Sequence, residues 1–180
     1  IKQNSSPAVE ERGNVCLVTD GLFMTGGYNQ VGVASSNVHL FHAKYNTWLQ
    51  LPDMLTPRAH HAAASIGNCV YVFGGKGKNT EYLDIVEAFD LECNKWNCVT
   101  PMLHETGIFP ISAKYEMLIF VIMNSAKGNS NLIKQITPDL QIYSTLEDTW
   151  TYGAPLPDTV SPFTAGTTAI CYKDALYLVG

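Results

Sequence analysis

The chain has 180 residues, 46% of them hydrophobic, 11% aromatic and 15% charged, with 14 Gly and 9 Pro. That profile excludes a disordered tail or a charged coiled coil, and the length holds about one domain with a sizeable core. Sixteen acidic residues against eleven basic ones give a net charge of −5, which argues against a polyanionic partner such as nucleic acid. Five Cys are spread out with no C-x-x-C pair, the pattern of reduced thiols in a cytoplasmic or nuclear protein.

Residues 1–11 open with Ile1-Lys-Gln-Asn-Ser-Ser6. This stretch has neither Met nor an apolar core, and it is expected to be a linker or the end of a preceding unit of a longer chain. Leu22-Phe-Met-Thr-Gly26-Gly27 then reads as a strand closed by paired glycines, and Phe41 and Trp48 as two arms of a hairpin. The next segment is the clearest. Strands are predicted over 61–66, 69–73, 85–89 and 95–99, with Gly67-Asn68 as the first turn, Gly74-Gly75 ending the second strand and Phe89 facing Trp96. The apolar run 117–123 is seven residues long, too short for a bilayer that needs about 20, and is predicted to be a buried strand. Met123-Asn124 stands where a glycine pair is due, and 126–138 is expected to be an enlarged loop. Tyr143 and Trp150 form another hairpin, and Leu176-Tyr-Leu-Val-Gly180 begins a further unit.

These elements repeat. Gly26 and Gly74 lie 48 residues apart, as do Trp48 and Trp96, and Trp150 follows 54 later. Phe41, Phe89 and Tyr143 each stand seven residues before a tryptophan, and Asn46, Asn94 and Asp148 two before it. Pro52, Pro101 and Pro155 follow four or five after. A four-stranded unit of this size cannot bury its own faces, so the units must stack and serve each other as core.

The glycine pair, the aromatic seven residues before Trp, Pro101-Met102 with its variant Leu51-Pro-Asp-Met54, and Pro57-Arg-Ala-His-His61 resemble kelch repeats, in the style of the BTB-kelch adaptors of ubiquitin ligases. The resemblance implies an all-β fold, a partial kelch β-propeller spanning 12–180, with blades at about 12–55, 58–104 and 107–157 and an incomplete one at 162–180. A closed ring needs at least about four blades of about 50 residues, so the chain is expected to be a piece of a longer propeller. The implied function is a non-enzymatic protein-binding module. It would hold a target protein or peptide for a cullin-RING ligase that docks through a BTB region. The alternatives are a scaffold for the actin cytoskeleton and, from another class, a kelch-fold enzyme such as an oxidase.

Catalytic constellations are scarce. G-x-S-x-G, H-E-x-x-H and Walker motifs are missing, and Gly74-Gly-Lys-Gly-Lys78 lacks the Lys-Ser/Thr and the following helix of a phosphate cradle. His60 and His61 are strand neighbours that point to opposite faces, so they cannot easily share a metal ion, and Cys93 with Cys98 lacks a second pair. Ser144-Thr-Leu-Glu-Asp-Thr-Trp150 does not match an Asp-box, and no Tyr, Cys and His set corresponds to a copper-oxidase centre. The sequon Asn4-Ser5-Ser6 is short enough to be accidental. No catalytic residue, metal or cofactor is expected, nor a membrane partner.

What remains is a binding surface. Counting 14 residues back from each first glycine, or its substitute, gives Arg12, His60, Phe109 and Gly166, four chemistries at one repeated location. The loops after the glycines add Tyr28, Asn29 and Gln30, then Lys76, Lys78, Asn79 and Tyr82, then Lys127, Asn129 and Asn131. These types suit a hydrogen-bonding pocket for an acidic or turn-forming peptide. Arg58 is a further candidate with two readings, partner contact or a brace on backbone carbonyls.

Overall fold

A computed structural model of the chain describes residues 10–105, 107, 109–127, 135–157 and 167–179. Short period-2 strands between turns build every element among them. The first sheet has β1 (Asn14–Val18), β2 (Gly21–Tyr28), β3 (Ala34–His42) and β4 (Thr47–Leu51) in sequential antiparallel order. The second has β5 (Ala62–Ile66), β6 (Cys69–Phe73), β7 (Val86–Asp90) and β8 (Lys95–Val99), matching the predicted strands to within a residue. The third comprises β9 (Ile111–Tyr115), β10 (Leu118–Lys127), β11 (Gln135–Ser144) and β12 (Thr149–Tyr152), and β13 (Thr168–Tyr172) pairs with β14 (Ala175–Val179). Among the described residues no helix is long and apolar enough to cross a membrane.

The tryptophan spacing becomes register. Phe41 pairs with Trp48, Phe89 with Trp96 and Tyr143 with Trp150 directly across the last hairpin of each sheet, with ring centroids 5.1, 5.0 and 4.9 Å apart. Their turns need one left-handed residue, supplied by Asn46, Asn94 and Asp148 at φ of 50, 57 and 52°. Asn and Asp tolerate that region better than other residues with a Cβ, which accounts for the short polar side chain two before each tryptophan.

Alternation along β6 sorts the core. Val70 and Val72 face the first sheet, where they meet Phe23, Val38 and Met54 together with Phe89 and Trp96. Phe73, with Tyr71 beside it, faces the third sheet and packs with Ile119, Val121, Met123, Tyr143 and Trp150. The second sheet is thus interior on both faces. Each buried indole also spans an interface: Trp96 Nε1 donates to the Pro52 carbonyl at 2.8 Å and Trp150 Nε1 to the Thr100 carbonyl at 2.9 Å. Trp48, with no earlier sheet among the described residues, is half-buried.

The first strands stand side by side, β1 against β5, β5 against β9 and β9 against β13. Ala62-Ala-Ala64 keeps β5 slim enough for neighbours on both sides. Side chains stitch these strands: Ser65 Oγ donates to the Leu17 carbonyl at 2.6 Å, Ser112 Oγ to Ala63 at 2.9 Å and Lys114 Nζ to Ser65 at 2.7 Å.

One expectation is corrected. Residues 126–127 and 135–138 are strand rather than loop, because β10 and β11 pair without a break from Leu118↔Ser144 to Lys127↔Gln135. In the first sheet the ladder shifts register between Thr25 and Gly27, and Gly26 has φ 50°. Met123 stands where Gly26 takes φ 50° and Asn124 where Gly27 takes φ 116°; a side chain with a Cβ disfavours the first at Met and the second at any residue but Gly, so the third hairpin runs on. Residues 128–134 lie outside the described residues.

Candidate partner-binding rim

The turn that leads into each first strand places one residue in the left-handed region: Arg12 at φ 61°, His60 at 54° and Phe109 at 56°. None is Gly, Asn or Asp, so each turn carries strain of about 1 kcal/mol or more that packing must offset. The strained turns lift the three side chains into one row across three sheets. The His60 amide donates to the Arg12 carbonyl at 2.9 Å, and the Arg12 guanidinium donates to His60 Nε2 at 3.0 Å. The imidazole also lies edge-on to Tyr28 and to Phe109, with centroids 5.5 and 5.0 Å away. Gly166, the fourth position of this set, lies outside the described residues.

Tyr28 is held by reciprocal backbone bonds with Glu11, and Lys76 by reciprocal bonds with Ala59, the residue before His60. Lys76 Nζ lies 6.0 Å from the centre of the Tyr82 ring. Glu11, Arg12, Tyr28, Asn29, Gln30 and Gly32 line an open depression at one end of the row. Arg12, Asn29 and Gln30 are exposed there, and His60, Tyr28, Lys76 and Phe109 are half-buried. Burial lowers the His60 pKa from its ordinary value, and the Arg12 and Lys76 charges lower it further.

Other predicted residues take different parts. Asn29 directs its side-chain carbonyl at the Val31 and Val33 amides, 3.1 and 3.0 Å away, and so shapes its own loop. Lys78 and Asn79 are exposed on the turn closed by the Gly77 amide and the Glu81 carbonyl. Asn129 and Asn131 lie outside the described residues, as does the Lys127 side chain.

Arg58 is a correction to the contact set. It is fully buried, ion-paired with Glu87 at 2.5 Å, and donates to the Gly74 and Ile85 carbonyls at 2.9 Å each. A guanidinium enclosed by these acceptors braces the rim from beneath and cannot touch a partner. Its own carbonyl accepts from the Gly27 amide at 2.9 Å, and a Cβ on Gly26 would come within 2.3 Å of that oxygen. Hence the glycine pair: it lets the following unit's loop sit directly on this backbone. His61 turns inward, Nε2 at 2.7 Å from Thr25 Oγ1, and its pKa is pushed down to about 3 by burial, then by Arg58 and His60. The two histidines therefore diverge.

Glu87 was not picked out by motif reading. It is fully buried and accepts from the Leu55 and Thr56 amides at 2.7 and 3.0 Å as well as from Arg58. The third sheet has Gln141 at the same distance before its tryptophan, accepting from the Leu103 amide at 2.9 Å, while His104 Nε2 lies 2.7 Å from Asp139. A polar acceptor recurring nine residues before Trp was the available signal. Among the described residues no group of three or more His, Cys, Asp or Glu could hold a metal.

Sequentially wound four-stranded antiparallel sheets, with first strands side by side and tryptophans between sheets, define the blades of a β-propeller. The solved structure titled "Structure of YjhT" superposes with a TM-score of 0.75 at 14% identity, over 96% of this chain and 59% of that one, which shows the fold. The family model described as the KLHDC2/KLHL20/DRC7 Kelch-repeats domain matches residues 2–180. The chain belongs to this kelch-repeat family. It is 27% identical over 163 residues to Kelch-like protein 36 of Bos taurus, covering 86% of this chain and 25% of that protein. It is 24% identical over 166 residues to Kelch-like protein 25 of Xenopus tropicalis, covering 87% and 27%. Kelch-like protein terF of Aspergillus terreus is 26% identical over 188 residues, covering 98% and 39%. The chain therefore spans about a quarter to two fifths of these relatives.

Proposed function

We propose that this kelch module binds a target protein on the rim formed by Arg12, Tyr28, His60, Lys76 and Phe109, and that its parent is a BTB-kelch adaptor presenting that target to a cullin-RING ubiquitin ligase. Membership of the kelch family supports protein binding, and the likeness to Kelch-like proteins supports the adaptor reading. One observation carries the choice of surface. Three strained turns at equivalent positions hold three different side chains in mutual contact, whereas the packing positions repeat aromatic for aromatic. Strain retained at a partly exposed location, with the side chain varied, fits recognition better than packing. The module supplies affinity and orientation and performs no bond chemistry of its own. Five unpaired thiols suit a reducing compartment, cytoplasmic or nuclear.

The test is a photo-crosslinking residue placed at position 28 or 109 of the parent chain in cells, paired with one at exposed Glu92 on a hairpin turn. An adaptor yields one target captured from the rim, and Arg12→Met removes that target while leaving bound cullin unchanged. Actin captured from the rim, with no cullin in the complex, replaces this reading with the scaffold one. Equal capture at all positions refutes the rim as the binding surface.

A further inference from the structure

The brace beneath the row is not repeated in the third unit. Arg58 stands sixteen residues before Gly74 and Glu87 nine before Trp96, whereas the same distances before Met123 and Trp150 give Gly107 and Gln141. Both charges are therefore missing there. A Cβ on Gly107 would clash with the Asn124 carbonyl, so no arginine stem fits at that position. His104 supplies the hold instead. Its Nδ1 lies 3.1 Å from the Glu105 carbonyl, its Nε2 lies 2.7 Å from Asp139 Oδ2 and 3.0 Å from Gln141 Nε2, and its ring stacks on Tyr152. Asp139 and Gln141 come from β11 and Tyr152 from β12, while Glu105 follows His104 on the connection from β8 to β9. Arg58 and Glu87 are sealed from solvent, but the His104 and Asp139 side chains are 27% and 14% exposed, so protons from solvent reach them.

The three polar neighbours impose incompatible demands on the ring. Glu105 offers a carbonyl, an acceptor only, so Nδ1 carries a hydrogen in either charge state. Gln141 has its Oε1 committed to the Leu103 amide at 2.9 Å and thus presents its NH2, a donor only. Asp139 presents a carboxylate, an acceptor only. Nε2 has one in-plane position for both. With a lone pair there it accepts from Gln141 and repels Asp139; with a hydrogen it donates to Asp139, and the Gln141 NH2 turns to Met123 Sδ, 3.7 Å away. We propose that His104 is a proton-operated latch on the connection from β8 to β9, pinned to Asp139 when charged and released to Gln141 when neutral. One proton from solvent binds the Nε2 lone pair on closing and returns to solvent on opening. The ion pair exists only with that proton bound, so its hold is present at the acid end of the interval in which histidines change charge, about pH 5–8, and is lost at the alkaline end. The connection leads within five residues to Phe109. The latch therefore sets how firmly the third turn of the row is held, while Arg58 and Glu87 hold the second throughout that interval. It acts whatever the row binds.

Heteronuclear NMR of the full 180-residue chain tests this through hydrogen exchange of the Leu103 amide, with the Leu55 amide on Glu87 as its counterpart in the braced unit. After correction for the intrinsic rise of exchange with pH, protection of Leu103 should fall about fivefold from about pH 5.5 to about pH 8, with Leu55 unchanged. Imidazole nitrogen shifts should show both His104 nitrogens protonated at the acid end and only Nδ1 at the alkaline end. His104→Lys, charged throughout, should keep Leu103 protected at the alkaline end, whereas His104→Gln and Asp139→Asn should hold it at the weaker level at both ends. A Leu103 amide indifferent to pH in the unaltered chain overturns the latch, as does a pH response that survives His104→Gln. An equal response at Leu55 marks opening of the whole chain and overturns it too. A neutral ring with its hydrogen on Nε2 overturns the exchange between Asp139 and Gln141.

Discussion

Arg58→Met separates a brace from a contact residue. The substitution keeps most of the side-chain volume but removes an ion pair of 2.5 Å and donors to two carbonyls, with both charged partners fully buried. Glu87 keeps its bonds from the Leu55 and Thr56 amides but is left as an uncompensated interior charge. Removing one member of a buried, hydrogen-bonded pair costs about 3–5 kcal/mol. At about 2–4 °C per kcal/mol for a chain of this size, the midpoint of thermal unfolding should drop by roughly 6–20 °C. Replacing both partners with apolar residues does not restore the loss, because the Leu55 and Thr56 amides and the Gly74 and Ile85 carbonyls would lose these acceptors and donors together. Urea titration followed by tryptophan fluorescence gives the value, since Trp96 lies in the interface between the first two sheets. A loss below about 1 kcal/mol, within the range of an exposed pair, would refute the assignment of Arg58 as the brace.

Trp96→Phe should cost about 1 kcal/mol for its 2.8 Å bond to Pro52 in addition to lost packing, while Trp48→Phe, at a half-buried site, costs less in the same titration. Gly67→Ala meets open space at φ 56° and should lose only the strain of about 1 kcal/mol. Gly26→Ala should lose clearly more, because its Cβ would lie 2.3 Å from the Arg58 carbonyl. Equal urea midpoints for the two alanine variants refute the close-approach account. Burial pushes the Asp148 carboxyl up, but bonds from the Tyr143 hydroxyl and the Thr100 amide outweigh it and hold its pKa below the ordinary value. A carboxyl lowered on folding stabilises above its unfolded value, about 3.9, and loses that contribution as pH falls through the folded value. Asp148→Asn should therefore reduce the acid sensitivity of unfolding below about pH 4, and an unchanged acid limb would refute the link.

The blades were legible because their determinants are local and recur. Trp96 reports its partner Phe89 seven residues away, and Asn94 between them reports the left-handed turn. The row at Arg12, His60 and Phe109 was legible only through the repeat, as equal distances before Gly26, Gly74 and Met123. What escaped was contact between side chains far apart in sequence. Arg58 could be read as an exposed recognition residue because its acceptor, Glu87, lies 29 residues away in a strand whose alternation does not disclose what stacks on it. The ends of the 126–138 segment, 126–127 and 135–138, are strand rather than loop because extended residues at Met123 and Asn124 let the ladder continue.

Interior packing on both faces of the second sheet sets the order in which the molecule comes apart. An amide in β6 or β7 can reach solvent only after both flanking seams have opened, so its deuterium uptake reports the least frequent fluctuation. Strands β13 and β14, with Ile170, Tyr172, Tyr177 and Val179 largely uncovered, exchange first. Damage anywhere in the middle blade is thus felt at two seams at once, which makes it the cooperative hinge-pin of the described structure.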